Sequence, residues 1–290
     1  MRRRGWLAGA GFAAMGVGSG GTGAAAPMRA AGPLPAAASR AEGPRVVRIG
    51  TSPGPHAEIL AHLRTLVAPS GLDLRLDVRP GGRGVNADVA RGALEAACFE
   101  DGVAFADDRD ARAAGLVVAA PTVCLPMGLY SRTRPAPAVL RAGDAVLLPT
   151  AAAARARALV LLHNFGLLGL RDGSGLHATL QDVVANARGL RLGGVPWTAE
   201  APPSRASLLA VLDRAAVVAL DFSAATSAGL QPARDAIGLE DGRSPFAGVL
   251  AVRRDRAGDA WLARLLAAYR GAPMKAWLLA RWQESVRRPW

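Results

Sequence analysis

Arg48-Ile49-Gly50-Thr51-Ser52-Pro53-Gly54-Pro55-His56-Ala57-Glu58-Ile59-Leu60 is the stretch that decides the fold class. Residues 46–50 form a β-branched, apolar run that reads as a strand, and 51–55 form a loop rich in proline and glycine. From 56 to 67 the apolar residues Ile59, Leu60, Leu63 and Leu66 recur at helical spacing. Pro55 sits near the first turn, where a missing N–H costs nothing. Working outward, 72–78 alternates as a second strand, 86–92 predicts a short helix and 94–99 a third strand. The order β-α-β-α-β predicts a mostly parallel sheet with helices on both faces.

A second α/β set follows. The stretch 116–130 is extended and broken by Pro121 and Pro126. Beyond it the pattern predicts a strand at 145–148, helices at 151–165 and 179–187, a strand at 190–193, a helix at 204–213, and strands at 216–221 and 248–252. Two amphipathic helices close the chain, one through Trp261, Leu262, Leu265, Leu266 and Tyr269, the other through Met274, Trp277, Leu278 and Trp282. Aromatics at this spacing are core anchors rather than a cofactor box. No repeat at solenoid periods is present.

The chain has 290 residues, 51% of them hydrophobic and 20% charged, enough to bury a sizeable core. Of its formal net charge of +12, Arg2, Arg3, Arg4, Arg29 and Arg40 lie in residues 1–41, which hold no acid. The other arginines are scattered, without the aromatic interleaving that stacks bases, so nucleic acid is not an expected partner. Three arginines, a Gly/Ala-rich run over 6–17 and a small-residue stretch with Ala36-Ala37-Ala38 have the layout of an export signal. Arg3-Arg4-Gly5-Trp6-Leu7 has the twin-arginine spacing. The expected location is therefore periplasmic or otherwise extracytoplasmic. No cysteine precedes Cys98, from which the expectation is that the protein is not a lipoprotein. Cys98 and Cys124 lie in apolar segments and are either paired or buried as small hydrophobes. No Cys/His cluster has metal spacing and no cofactor motif is complete, so neither metal nor cofactor is expected.

Several segments resemble the methionine-binding NlpA-type family of ABC-importer solute-binding proteins, and they fall in that family's order. They are the opening stretch quoted above, Pro126-Met127-Gly128-Leu129-Tyr130-Ser131, Arg157-Ala158-Leu159, Gly166-Leu167-Leu168, the run from Asp172 to Thr179, Ala228-Gly229-Leu230, Leu239-Glu240-Asp241-Gly242 with Ser244-Pro245, and Ala268-Tyr269. The resemblance implies an α/β, two-lobed periplasmic-binding fold of type II-like form with a ligand cleft between the lobes. Residues 1–41 would be signal and linker, 45–128 plus 246–290 the first lobe, and 129–245 the second.

The same resemblance implies that Arg157 binds a ligand carboxylate, a task for which a guanidinium's fork of donors is suited, and that Phe99 packs on the ligand or else in the core. Ser52 and Gly54, on the first loop, are candidates to contact a polar solute, with helix capping as the alternative for Ser52. The sequence departs from the family at Gly81-Gly82-Arg83-Gly84, Glu100-Asp101, Ala104, Ala154 and Ser223. The glycine run reads as a flexible loop rather than a phosphate cradle. Asp101 and Asp221, the latter beside Ser223, are candidates to meet a cation on the ligand, or are solvated acids. The expected function is capture of an amino-acid-like or other small carboxylate solute for an ABC permease, by a monomer with no catalytic role and doubtful preference for methionine. A binding fold degenerated into an interaction module, and an exported α/β enzyme, are the alternatives.

Overall fold

The structure is a computed structural model that describes residues 44–198 and 201–290. The export signal falls outside the described residues. Strand β1 (Arg45–Thr51) enters helix α1 (Pro55–Val67), with Pro55 at its start and Gly54, at φ 92°, as its N-cap. Then come β2 (Leu72–Val78), α2 (Val85–Ala90), the two-residue β3 (Ala96–Ala97), α3 (Gly102–Asp107), α4 (Arg109–Ala113) and β4 (Leu116–Pro121). The second set is β5 (Gly128–Tyr130), β6 (Ala145–Pro149), α5 (Ala152–Asn164), a hairpin of β7 (Gly169–Leu170) and β8 (Val183–Ala185), β9 (Arg191–Val195), α6 (Arg205–Leu212), β10 (Val217–Leu220), α7 (Phe222–Ser227), α8 (Pro232–Asp235) and β11 (Gly238–Leu239). The chain finishes with β12 (Val249–Arg253), α9 (Ala260–Arg270) and α10 (Ala272–Trp282).

Two five-stranded sheets result, ordered β2-β1-β3-β12-β4 and β11-β5-β10-β6-β9. Each is mixed. The β1 strand runs parallel to β2 and β3, whereas β12 runs antiparallel to β3 and β4. The β6 strand runs parallel to β9 and β10, whereas β5 opposes β10 and β11. The chain thus leaves the first sheet after β4 and returns to it only in β12.

The period-two alternation of each central strand loads both faces of its sheet. From β12, Leu250 and Val252 join Val47 and Ile49 of β1, Leu60 and Leu63 of α1 and the C-terminal helices through Trp261, Leu265 and Trp282. Val249 and Ala251 of the same strand turn to the opposite core of Val85, Val89, Phe105 and Ala111. Gly50 is required there: a Cβ would stand 2.4 Å from Val85 Cγ1, so a side chain would push α2 off the sheet. In the second sheet, Val217 and Ala219 of β10 pack with α5, while Val218 and Leu220 pack with α6 and α7.

The structure corrects some local expectations. No helix forms over 179–187. Thr179 and Asp182 make a capping box that closes a single 3-10 turn, and the β-branched pair Val183-Val184 continues as a strand against Gly169–Leu170. The third strand contracts to two residues, and the acids after it start α3 and α4. Cys98 and Cys124 are both buried and free.

Leu63→Ala, at a fully buried site, is expected to cost about 2–5 kcal/mol in urea unfolding. Leu209→Ala, on the exposed side of α6, is expected to stay within about 0.5 kcal/mol of the parent.

Candidate functional site

A cavity of about 800 Å³ lies between the two sheets, lined from the first by Ser52, Phe99 and Asp101 and from the second by Arg157, Asp221 and Ser223. These six positions, singled out in the sequence, come together. Gly54 does not join them; its role is the positive φ that turns the chain into α1. Ser52 is not the cap of that helix. The walls follow the strand ends of both sheets, where open α/β sheets hold ligands.

Arg157, on the first half of α5, has a partner that the sequence reasoning did not assign. Its Nε donates to both oxygens of Glu240, at 3.2 and 3.1 Å, and its Nη2 donates to Glu240 Oε2 and, at 2.9 Å, to the carbonyl of Leu125. Glu240 is 7% exposed and also accepts from Met127 N at 3.1 Å and from the Ser244 hydroxyl at 2.8 Å. Leu125 and Met127 belong to the segment that leaves the first sheet; Glu240 and Ser244 belong to the segment that returns. One guanidinium therefore ties both crossings together, and Phe246 covers it with its ring centroid 4.9 Å away. Nη1 makes no hydrogen bond among the described residues. The signal for Glu240 was its place beside Ser244-Pro245 in a run quoted only for its order.

Asp101 and Asp221 are not simply solvated acids. Asp101 Oδ1 accepts from the N–H groups of Val103 and Ala104 and caps α3, and Asp221 Oδ1 accepts from Ala224 N and caps α7. Beside Asp101, Glu100 accepts a hydrogen bond from Asn86 Nδ2 at 2.7 Å. Burial pushes the Glu100 carboxyl up to about 7, Asp108 and Asp101 add to the shift, and the Asn86 amide opposes it. Burial drives the His56 imidazole down to about 4; its Nδ1 is buried without a partner.

The glycine run after β2 is a tight turn rather than a flexible loop. Gly81, Gly82 and Gly84 all have positive φ, and a Cβ on Gly82 would stand 2.0 Å from the Phe99 ring. The loop thus lies against that ring, which lines the cavity. No group of three His, Cys, Asp or Glu side chains among the described residues is placed to hold a metal.

The model of the NlpA lipoprotein family matches residues 47–290. The chain belongs to the NlpA lipoprotein family. The D-methionine-binding lipoprotein MetQ of Escherichia coli is 30% identical over 186 residues, which cover 63% of this chain and 66% of MetQ. A periplasmic substrate-binding protein of an ABC transporter from Coxiella burnetii has a similar structure, with TM-score 0.66 and 26% identity, over 83% of this chain and 99% of that one. A nutrient-binding protein from Burkholderia cenocepacia, solved bound to methionine, gives TM-score 0.65 and 26% identity over 83% and 98%. The two-lobed periplasmic-binding architecture expected from the sequence is the fold of this chain.

One expectation is overturned. The position of the first cysteine led to the view that the protein is not a lipoprotein, whereas the family is one of lipoproteins and MetQ carries that name. Cys98 and Cys124 are core residues of the folded body, so their position bears on packing and not on membrane attachment.

Two outcomes are expected. Glu240→Ala strips the buried Arg157 of its counter-charge and should cost about 3–5 kcal/mol in denaturant unfolding. Glu100 holds its proton more tightly folded than unfolded, so its contribution to stability is full below pH 4.5 and is lost as pH rises to about 7. The melting temperature of Glu100→Gln should therefore gain on that of the parent across this window and stay ahead above it. A constant difference between the two melting curves would show that Glu100 does not titrate there.

Proposed function

We propose that this protein is the solute-binding component of an ABC importer, and that it captures a small amino-acid-like solute in the cleft between its lobes. The family is one of solute-binding proteins rather than enzymes, and MetQ and the Burkholderia protein are named for or solved with methionine. The observation that carries the reading is the cavity, whose volume lies in the range of small-molecule sites and whose polar groups come from both lobes. A solute touching both walls stabilises the closed form by its differential affinity for it, and a permease reads that form. Because one copy supplies both walls, a monomer is sufficient.

Within the cleft, Arg157 Nη1 is the cationic donor left for a solute carboxylate, since Nε and Nη2 serve Glu240 and Leu125. Phe99, Ser52, Asp101, Asp221 and Ser223 surround the remaining volume. This assigns Arg157 two roles: it holds the crossings and presents one edge to the solute.

The test pairs Arg157→Met with Glu240→Gln, which replaces the ion pair by neutral groups of similar size and spares the fold an unpaired buried charge. A thermal-shift survey of amino acids should give stabilisation of the parent by mass action. The double variant should fold and lose the response. Retention of the parent's affinity would remove Arg157 from solute recognition.

A further inference from the structure

Among the described residues that line the cavity, acids outnumber free bases once Arg157 is committed to Glu240. Glu100, Asp101 and Asp107 line the first-lobe wall. Among the described residues, the basic groups that act on them are His177, whose Nδ1 stands 3.6 Å from Asp107, and Arg157, which acts on Asp101 through charge alone. Asp101 uses Oδ1 to cap α3, and Glu100 uses Oε1 on Asn86; Asp101 Oδ2 and Glu100 Oε2 accept no hydrogen bond from any described residue. Adjacent carboxyls with unspent oxygens in a partly desolvated wall repel one another unless a proton or a cation comes between them. His56 stands on the same wall, and its buried Nδ1 has no hydrogen-bond partner among the described residues.

We infer that the solute carries a positively charged nitrogen group, an ammonium or guanidinium, that seats against Glu100 and Asp101 of the first lobe. The inference rests on the solute-binding reading above and names the class of solute: a basic amino acid or a close relative, its carboxylate toward Arg157 and its side-chain cation toward the acids. Phe99, Val103, Leu125 and Phe246 line the same cavity, an apolar surface suited to the methylene stem of such a side chain. A metal ion is a poorer occupant, because the described residues hold no cluster of three metal-ligating side chains.

Calorimetry on the whole protein with lysine, arginine, norleucine, methionine and agmatine tests this. Norleucine has the lysine stem without its amine, and agmatine has the guanidinium of arginine without its carboxylate. Lysine or arginine should bind tighter than norleucine and methionine by on the order of tenfold or more, as a charge-assisted contact requires. Glu100→Gln with Asp101→Asn should abolish that preference, bringing lysine and arginine down to the level of norleucine. The variant keeps the fold, since asparagine caps a helix as well as aspartate does and glutamine still accepts from Asn86. Agmatine binding as tightly as arginine would support the cation site while overturning the carboxylate role of Arg157. Norleucine or methionine binding as tightly as lysine, a lysine preference that survives the double variant, or no binding of any of the five would overturn the inference. Binding of norleucine or methionine alone would do so while leaving the solute-binding reading intact.

Discussion

The buried ion pair of Arg157 and Glu240 is the constraint around which the site is arranged. Two charges taken out of water stabilise a protein only when geometry is good and the remaining lone pairs are satisfied. Here Glu240 receives the guanidinium, the N–H of Met127 and the hydroxyl of Ser244, and Arg157 also reaches the carbonyl of Leu125. Every partner lies on α5 or on one of the two segments that pass between the sheets. The pair therefore fixes how the crossings meet the second lobe, and it does so at the wall of the cavity. The proposed contact of a solute with Nη1 draws on the same guanidinium that holds the crossings.

The two sheets account for the rest of the scaffold in the same elementary terms. Alternation along β10 and β12 buries both faces of each sheet, so helices must cover both, and the loops at the strand ends are left to face one another across the cleft. The C-terminal segment reinforces the first crossing: Cys124 and Arg287 exchange backbone hydrogen bonds of 2.9 Å in both directions. Phe222, on the second-sheet helix α7, packs into the first-sheet core and meets the Trp282 ring edge-on at 6.4 Å.

Much of this was legible in the residues. The stretch from Arg48 to Leu60 specified its strand, loop and helix because its apolar spacing changes period at a proline and glycine loop. Arg157 was found through an ordered motif, Phe99 through the family resemblance and Asp101 as a departure from it, and the three line one cavity. What was not legible depended on pairing between distant residues. Glu240 lies 83 residues from Arg157, and nothing in the local pattern of either marks a partner. Thr179 to Ala187 had helical composition, but a capping box and a hairpin partner at Gly169–Leu170 prevailed over it. The glycines at 81–84 looked like slack because their purpose is contact with a ring brought in by another loop. Membrane attachment was misjudged for a related reason, since a cysteine count says nothing of the family to which a fold belongs.

The proposed solute lies in the cleft between Arg157 on one lobe and the acids of the other. A crystal structure of the protein grown with lysine tests it most directly. Density is expected to span the cavity, with a carboxylate within hydrogen-bonding distance of Arg157 Nη1 and an amine against Glu100 and Asp101. An empty cleft at saturating lysine, or lysine bound away from both groups, would contradict it.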